Sequence, residues 1–282
     1  MSIGGILTAM ATPFDAGGDL DEDAAVSLMH HLLEHGSDGL VLAATTGEGA
    51  TLSDREKARL WELGVAECGD AYVVAATGTY DTRHSVELTT RATEIGVDAV
   101  LVVTPYYNKP NRRGVTAHFE TVAGATDRPV IVYNIPSRCV VDIANDQLAE
   151  LAEIENVAAV KQARYEDLAP VDGLDLLAGN DDVLADVLDM GGSGGILVAS
   201  HLVGHQMRRM VDEPDQRREI HESLRDLFKA LFVTTNPIPL KAAMELAGHE
   251  VGGVRLPLVE ATDDERQVVR EALERHNLLA AV

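Results

Sequence analysis

Short apolar runs alternate with stretches of helical periodicity along most of the chain. Runs of this length, without polar alternation, are typical of strands buried on both faces of a parallel sheet. The eight runs cover residues 6–12, 39–44, 72–76, 99–103, 129–133, 157–161, 174–178 and 195–198. Helices are predicted over residues 21–34, 82–94, 113–125, 145–154 and 182–190, and after the capping box of Ser53 and Glu56. Eight such units favour a closed (β/α)8 TIM barrel over an open sheet.

The strand pattern stops at about residue 215, and helical periodicity continues to the end of the chain. Three helices are predicted there, over residues 217–232, 239–247 and 263–278. Thr262 and Glu265 form a capping box for the last one. We therefore expect an α/β protein with a barrel catalytic domain at residues 1–214 and a C-terminal three-helix region at residues 215–282.

Composition limits the core and the partners. Hydrophobic residues make up 46% of the 282 residues and aromatic residues only 4%, so the core must consist mainly of Ala, Val, Leu and Ile. The chain has 46 acidic and 23 basic residues, for a formal net charge of −23. Such a surface repels nucleic acid and anionic membranes, and neither is expected as a partner.

The two cysteines, Cys68 and Cys139, allow neither a disulfide framework nor a zinc motif by their spacing. The first residues lack a basic leader, and no apolar run is long enough to span a bilayer. The sequence predicts a cytoplasmic protein.

A lysine, Lys161, ends the sixth apolar run directly after Val160. Burying an ammonium without a partner is costly, so a lysine here has either a partner or a chemical task. Desolvation lowers the pKa of an amine and leaves a neutral nucleophile that can form a Schiff base with a carbonyl group. The alternative is a side chain that reaches the surface just past the strand end.

In a TIM barrel the active site forms where the strands end and the following loops begin. Polar groups stand at that end of several predicted strands: Thr45 and Thr46, Tyr106 and Tyr107, Tyr133, Asn134 and Arg138, Lys161, Gly179 and Asn180. No cluster of carboxylates accompanies them, which argues against a divalent metal site.

These groups suit imine chemistry on a keto acid. Lys161 forms the imine, and several hydroxyls move protons better than a lone tyrosine with a pKa of about 10. Arg138 can hold one carboxylate in a bidentate fork, and Thr46 with nearby backbone N–H groups can hold a second. We expect a keto acid, an acidic co-substrate, and neither a cofactor nor a metal.

Five segments in order carry a family resemblance. They are Thr45-Thr46-Gly47-Glu48, Thr104-Pro105-Tyr106-Tyr107-Asn108-Lys109-Pro110, Tyr133-Asn134-Ile135-Pro136-Ser137-Arg138, Val160-Lys161, and Asn236-Pro237-Ile238-Pro239-Leu240-Lys241. Together they resemble the dihydrodipicolinate synthase/N-acetylneuraminate lyase family of pyruvate-dependent class I aldolases over nearly the whole chain. The resemblance implies condensation of pyruvate with L-aspartate 4-semialdehyde in lysine and diaminopimelate biosynthesis.

The resemblance also implies roles for individual residues. Lys161 is the Schiff-base lysine, Tyr133 the proton donor and acceptor beside it, and Thr45 and Tyr107 complete a hydroxyl relay. Tyr107 comes from the neighbouring subunit, because the family is mostly tetrameric, as a pair of tight dimers.

Four further residues are implied to contact the substrates. Thr46 holds the pyruvate carboxylate, Arg138 binds the carboxylate of aspartate semialdehyde, and the backbone around Gly179 and Ile196 lines the pocket.

The chain departs from the family pattern near the pocket, at Cys139, Gln162, Asn180 and Leu197. None of these changes removes a relay group, but they bear on the choice of aldehyde. The alternatives are another pyruvate aldolase, such as one acting on 2-keto-3-deoxygluconate, and a catalytically silent protein that binds a keto acid. Arg138 and the double threonine favour the synthase, and the intact relay argues against silence.

In lysine-sensitive synthases of this family, a glutamate and an asparagine hold free lysine at the dimer interface. The corresponding positions here are His84 and Tyr80, and Asp54 and Lys57 stand where such synthases have histidines. Loss of the glutamate leaves the ammonium of the ligand unpaired. The resemblance therefore implies weak or no inhibition by lysine.

Two other patterns do not indicate a functional site. The glycine-rich segment 191–195 follows a helix and precedes a strand, so it is a tight turn and not a phosphate loop. His201 and His205 lie four apart without the glutamate of a zinc protease, and the adjacent His30 and His31 are expected at the surface.

Overall fold

Eight parallel strands close into a barrel in a computed structural model, which describes residues 3–280. The strands follow one another around the barrel in chain order, and the eighth pairs with the first in the register Leu7↔Ile196. They are β1 Gly5–Ala9, β2 Gly39–Leu42, β3 Tyr72–Ala76, β4 Ala99–Val103, β5 Val130–Asn134, β6 Val157–Gln162, β7 Asp175–Ala178 and β8 Gly194–Leu197. Each predicted run overlaps one strand, so the TIM-barrel prediction is confirmed.

Helices lie between consecutive strands on the outside of the barrel, except between β6 and β7, where residues 163–174 form turns and no helix. They are α1 Glu22–Glu34, α2 Asp54–Glu67, α3 Thr82–Ile95, α4 Arg112–Ala123, α5 Pro136–Cys139, α6 Asn145–Ala152, α7 Leu184–Asp189 and α8 Ser200–Asp212. The capping box at Ser53 and Glu56 begins α2 as predicted. The short helix α5 was not predicted, and it carries Arg138.

The strands divide their side chains between two cores, because successive residues of a strand point to opposite faces. Leu7, Val41 and Ile131 lie inside the barrel, whereas Ile6, Leu40 and Val130 pack against the surrounding helices. The same alternation directs residues 133 and 161 into the barrel, since each lies two positions after an inward residue.

Three more helices follow the barrel: α9 Arg217–Ala230, α10 Ile238–Leu246 and α11 Asp263–Arg275. The three predicted helices are therefore confirmed. Leu224, Leu240 and Leu273 belong to the same buried cluster as the residues between strands and helices, so the core is continuous. The division into domains at residue 214 stays a prediction. Across residues 3–280, no helix combines the length and apolar character needed to cross a membrane.

Candidate active site

Lys161 and Tyr133 lie side by side at the C-terminal end of the barrel. Strands β5 and β6 place them directly opposite each other in register, and the Lys161 Nζ lies 4.1 Å from the centre of the Tyr133 ring. The two residues are only 4% and 5% exposed, respectively. The alternative of a lysine that reaches the surface is therefore wrong.

Burial dominates the electrostatics of this pair. Desolvation lowers the pKa of Lys161 to about 7, with attraction from Asp181 acting against it and repulsion from Arg138 adding to it. Desolvation raises the pKa of Tyr133 to about 12, and the hydrogen bond with Thr45 opposes that rise. Near neutral pH, Lys161 therefore has a large neutral fraction, and Tyr133 is a phenol that can donate a proton.

A cavity of about 370 Å³ opens at this mouth and is lined by Thr45, Tyr106, Tyr133 and Arg138, among others. Its volume suits two small acids. Ile196, which is 1% exposed, lies with the inward residues of the barrel. The Gly179 N–H donates to the Gln162 carbonyl over 2.8 Å, and a Cβ at Gly179 would lie 2.8 Å from Ala163 atoms, so glycine permits this close approach.

Asn236 links two predicted substrate-binding residues, and the sequence analysis did not assign it a role. Its side-chain amide donates to the Thr46 hydroxyl over 2.9 Å. Its main-chain carbonyl accepts from the Arg138 guanidinium over 3.4 Å. Both Asn236 and Thr46 are buried. The available signal was the segment 236–241, which stood out only through the family resemblance.

A buried ion pair between Glu48 and Lys241 holds the same two segments together. Glu48 and Lys241 approach to 2.9 Å, and both side chains are almost fully buried. The Lys241 ammonium also donates to the Gly253 carbonyl over 2.6 Å, and the Arg255 N–H donates to Glu48 over 2.8 Å. The loop after β2 is thereby fixed to the start of α10.

Tyr107 lies away from this cavity. Its side chain is 90% exposed and its φ is +68°, a conformation that non-glycine residues adopt rarely. Tyr106, by contrast, lines the cavity and packs edge-on against Tyr80. A single chain thus brings Thr45, Tyr133 and Lys161 together and leaves Tyr107 outside.

Five histidines cluster elsewhere, around a cavity of about 180 Å³: His31, His35, His201, His205 and His249. The ring centres of His31 and His35 are 4.0 Å apart, and those of His31 and His249 are 4.4 Å apart. His30 is exposed, as expected, and His31 is half-buried beside His249. Within residues 3–280, no group of three or more His, Cys, Asp or Glu residues is arranged to hold a metal ion.

A buried lysine with a lowered pKa, paired with a tyrosine at the mouth of a TIM barrel, defines the class of Schiff-base lyases. Residues 2–276 match the model of the dihydrodipicolinate synthetase family. The chain belongs to that family.

Curated relatives and solved structures agree with this assignment. The 4-hydroxy-tetrahydrodipicolinate synthase of Desulforudis audaxviator is 43% identical, and the match covers 99% of both chains. The dihydrodipicolinate synthase of Cyanidioschyzon merolae with lysine bound is 37% identical, with a TM-score of 0.94 and coverage of 98% and 99%. The chloride-inhibited synthase of Acinetobacter baumannii complexed with pyruvate is 31% identical, with a TM-score of 0.95 and coverage of 99% and 100%.

Proposed function

We propose that this chain condenses pyruvate with L-aspartate 4-semialdehyde to 4-hydroxy-tetrahydrodipicolinate, in lysine and diaminopimelate biosynthesis. The observation that carries the proposal is the geometry of Lys161, whose amine is buried in register with Tyr133. Relatives that match nearly the whole chain at about 40% identity are named for this reaction.

The chemistry begins when the neutral Lys161 amine attacks the keto carbon of pyruvate. The resulting carbinolamine loses its hydroxyl group, which takes a proton from the relay of Tyr133 and Thr45 and leaves as water. The iminium then loses a methyl proton to the relay and becomes an enamine, whose carbon attacks the aldehyde. The aldehyde oxygen takes that proton back from the relay and becomes a hydroxyl group, and the iminium forms again. The amino group of the second substrate finally attacks the imine carbon, which closes the ring and releases Lys161.

Two groups suit the carboxylates of the substrates. Thr46 is buried next to Thr45, which lines the cavity, and its hydroxyl accepts from the Asn236 side-chain amide; it is assigned to pyruvate. Arg138 is exposed at the mouth and makes one long contact to the Asn236 carbonyl, so its guanidinium is accessible to the carboxylate of the semialdehyde. Gly179 and Ile196 are assigned to the wall of the pocket. The proposed reaction requires neither a cofactor nor a metal.

We also propose a homo-oligomer, specifically a tetramer built as a dimer of dimers, in which Tyr107 of one chain completes the relay of its partner. The exposure of Tyr107 supports this proposal, because its own chain leaves it outside the cavity.

Borohydride trapping tests the proposal. Reduction in the presence of pyruvate is expected to give a stable adduct on Lys161, located by peptide mass spectrometry, and Lys161→Ala should lose both adduct and turnover. Lys229→Ala, which removes an exposed lysine, serves as the matched control. An adduct and full turnover in Lys161→Ala would refute the proposal that pyruvate forms an imine with Lys161.

The aldehyde is tested by comparing aspartate semialdehyde with glyceraldehyde in the presence of pyruvate. A preference for aspartate semialdehyde is expected. A preference for glyceraldehyde would move the assignment to the aldolases that act on sugar-derived keto acids.

A further inference from the structure

His201 is a buried histidine to which the proposed reaction assigns no role. It is the second residue of α8, it is 1% exposed, and its ring makes two hydrogen bonds. Its Nδ1 lies 2.7 Å from the carbonyl oxygen of Val198, which follows β8, and its Nε2 accepts the Ala11 N–H over 3.1 Å. The second bond joins α8 to the segment that follows β1, although the two residues are 190 positions apart in the chain.

These two contacts require a neutral ring in one tautomer. A carbonyl oxygen can only accept, so Nδ1 carries the proton, and an N–H can only donate, so Nε2 is unprotonated. Desolvation lowers the pKa of His201 to about 4, with the bond to Val198 acting against it and the nearby His31 and His249 adding to it. At neutral pH the ring is therefore a standing acceptor for the Ala11 N–H.

The loop after β2 contacts the segment that His201 holds. The Thr12 hydroxyl donates to the Gly47 carbonyl over 2.7 Å, and both residues are buried. A Cβ at Gly47 would lie 2.9 Å from the Met10 carbonyl oxygen, so glycine permits this close approach. Gly47 follows Thr45 and Thr46 directly, so the position of this segment bears on both threonines.

We propose that His201 is a positioning residue for Thr45 and Thr46, and that it acts through the Ala11 N–H and the Thr12 hydroxyl. The inference rests on the proposed function, which assigns the two threonines to the relay and to pyruvate. Loss of the acceptor at His201 leaves a buried N–H unpaired, so the segment must shift to find a new partner. The loop after β2 then shifts with it, and a displacement of about 1 Å at reacting groups can reduce a rate about 100-fold.

A purely structural role is the competing explanation, because the bond to Val198 also holds the junction of β8 and α8. The two bonds can be removed one at a time. His201→Asn places an amide near the former Nδ1, so it keeps a donor for Val198 and removes the acceptor of Ala11. His201→Gln places its amide oxygen near the former Nε2, so it keeps the acceptor and removes the donor.

The two variants should therefore differ in their kinetics. In His201→Asn the kcat/KM for pyruvate should fall at least about tenfold, and the borohydride adduct should form more slowly. His201→Gln should stay within about twofold of the parent, because the bond to Ala11 remains. His205→Asn, at an exposed histidine on the same helix, is the matched control and should retain the parent kinetics.

A folded His201→Asn variant with the parent kcat/KM overturns the inference. Equal losses in the Asn and Gln variants also overturn it, since the bond to Ala11 would then not be the cause. Failure of the proposed function is distinguishable, because the unaltered protein would then give no borohydride adduct with pyruvate.

Thr12 gives a second test if either variant of His201 does not fold. Thr12→Val removes the hydroxyl that donates to Gly47 and keeps the shape of the side chain, whereas Thr12→Ser keeps the hydroxyl. The Val variant should show the loss of kcat/KM for pyruvate, and the Ser variant should not. Parent kinetics in Thr12→Val would overturn the inference as well.

Discussion

The reactivity of Lys161 results from the alternation of side chains along one strand. Ala159 points into the barrel, so Lys161, two positions further, points there too, at the layer where β6 ends. The neighbouring strand brings Tyr133 to the same layer by the same rule. Burial then favours the neutral amine and the neutral phenol together.

Substitution of Arg138 tests whether this residue binds the carboxylate of the second substrate. Arg138→Ala should reduce activity with aspartate semialdehyde by one to two decades, because a charge-assisted hydrogen-bonded pair is worth about 1.5–3 kcal/mol. The pyruvate adduct should still form, since Lys161 and Tyr133 are untouched. Steady-state kinetics and borohydride trapping measure the two effects.

Arg113→Ala, at an exposed arginine on α4, is the control for loss of one positive charge. Unchanged kinetics of Arg138→Ala with aspartate semialdehyde would show that the carboxylate is bound elsewhere.

At the scale of elements, the loop after β2 and the start of α10 form one unit. Asn236 bonds to Thr46, and Lys241 pairs with Glu48. Glu48 has a φ of +52°, so its buried contacts hold a backbone conformation that is unfavourable for glutamate. The segment that leads into α10 therefore contributes directly to the wall of the cavity.

The Glu48–Lys241 pair gives a prediction on stability. Glu48→Gln or Lys241→Met alone should lower the free energy of unfolding by about 3–5 kcal/mol, because each leaves a buried charge without its partner. The double variant should lose less unfolding free energy than the two single variants lose together. Urea unfolding measures all three.

The exposed pair Arg83–Glu87 provides the comparison, since Glu87→Gln should change the free energy of unfolding by at most about 0.5 kcal/mol. Equal, small losses of unfolding free energy in Glu48→Gln and Glu87→Gln would mean that the buried Glu48–Lys241 pair contributes no more to stability than the exposed Arg83–Glu87 pair.

At the scale of the whole molecule, the sequence was most informative where the chain is locally regular. The apolar runs located every strand, and the strand ends located Thr45, Tyr133 and Lys161. Contacts between distant segments left little local signal, as with Asn236 and Thr46 or the histidine cluster around His31. The helix α5 was missed because its four residues, which begin with a proline, are too few to show helical periodicity.

Assembly can be tested by complementation. Lys161→Ala and Tyr107→Phe should each have little activity alone, but a mixed dimer would contain one site with both native groups. Co-expression in equal amounts should restore roughly a quarter of the parent activity, as expected for random pairing of a twofold dimer.

Sedimentation of the same samples should show dimers or tetramers. A fully active monomer, or no recovery on co-expression, would place Tyr107 outside the relay.

Lysine should inhibit weakly or not at all. The anion that could replace the missing glutamate is Asp54, but it already contacts His84 over 2.9 Å and lies 3.9 Å from the Lys57 ammonium. Lys57 is also largely buried, so its charge adds repulsion for the ammonium of the ligand. Titration with lysine at fixed pyruvate measures the effect.

Half-inhibition below the millimolar range would contradict this account of the interface. The double variant His84→Glu with Tyr80→Asn provides the contrast, since it restores the two polar groups implied for lysine-sensitive relatives and should respond more strongly than the parent.

The hydrogen bond between Asn236 and Thr46 spans 190 positions of the sequence, and this separation has a consequence during synthesis. A nascent chain acquires Thr45, Tyr133 and Lys161 well before position 236 leaves the ribosome. Until then Thr46 lacks the partner that fixes its hydroxyl, and Glu48 lacks its cation. Products of premature termination before this point should therefore contain Lys161 without the two contacts that hold the loop after β2.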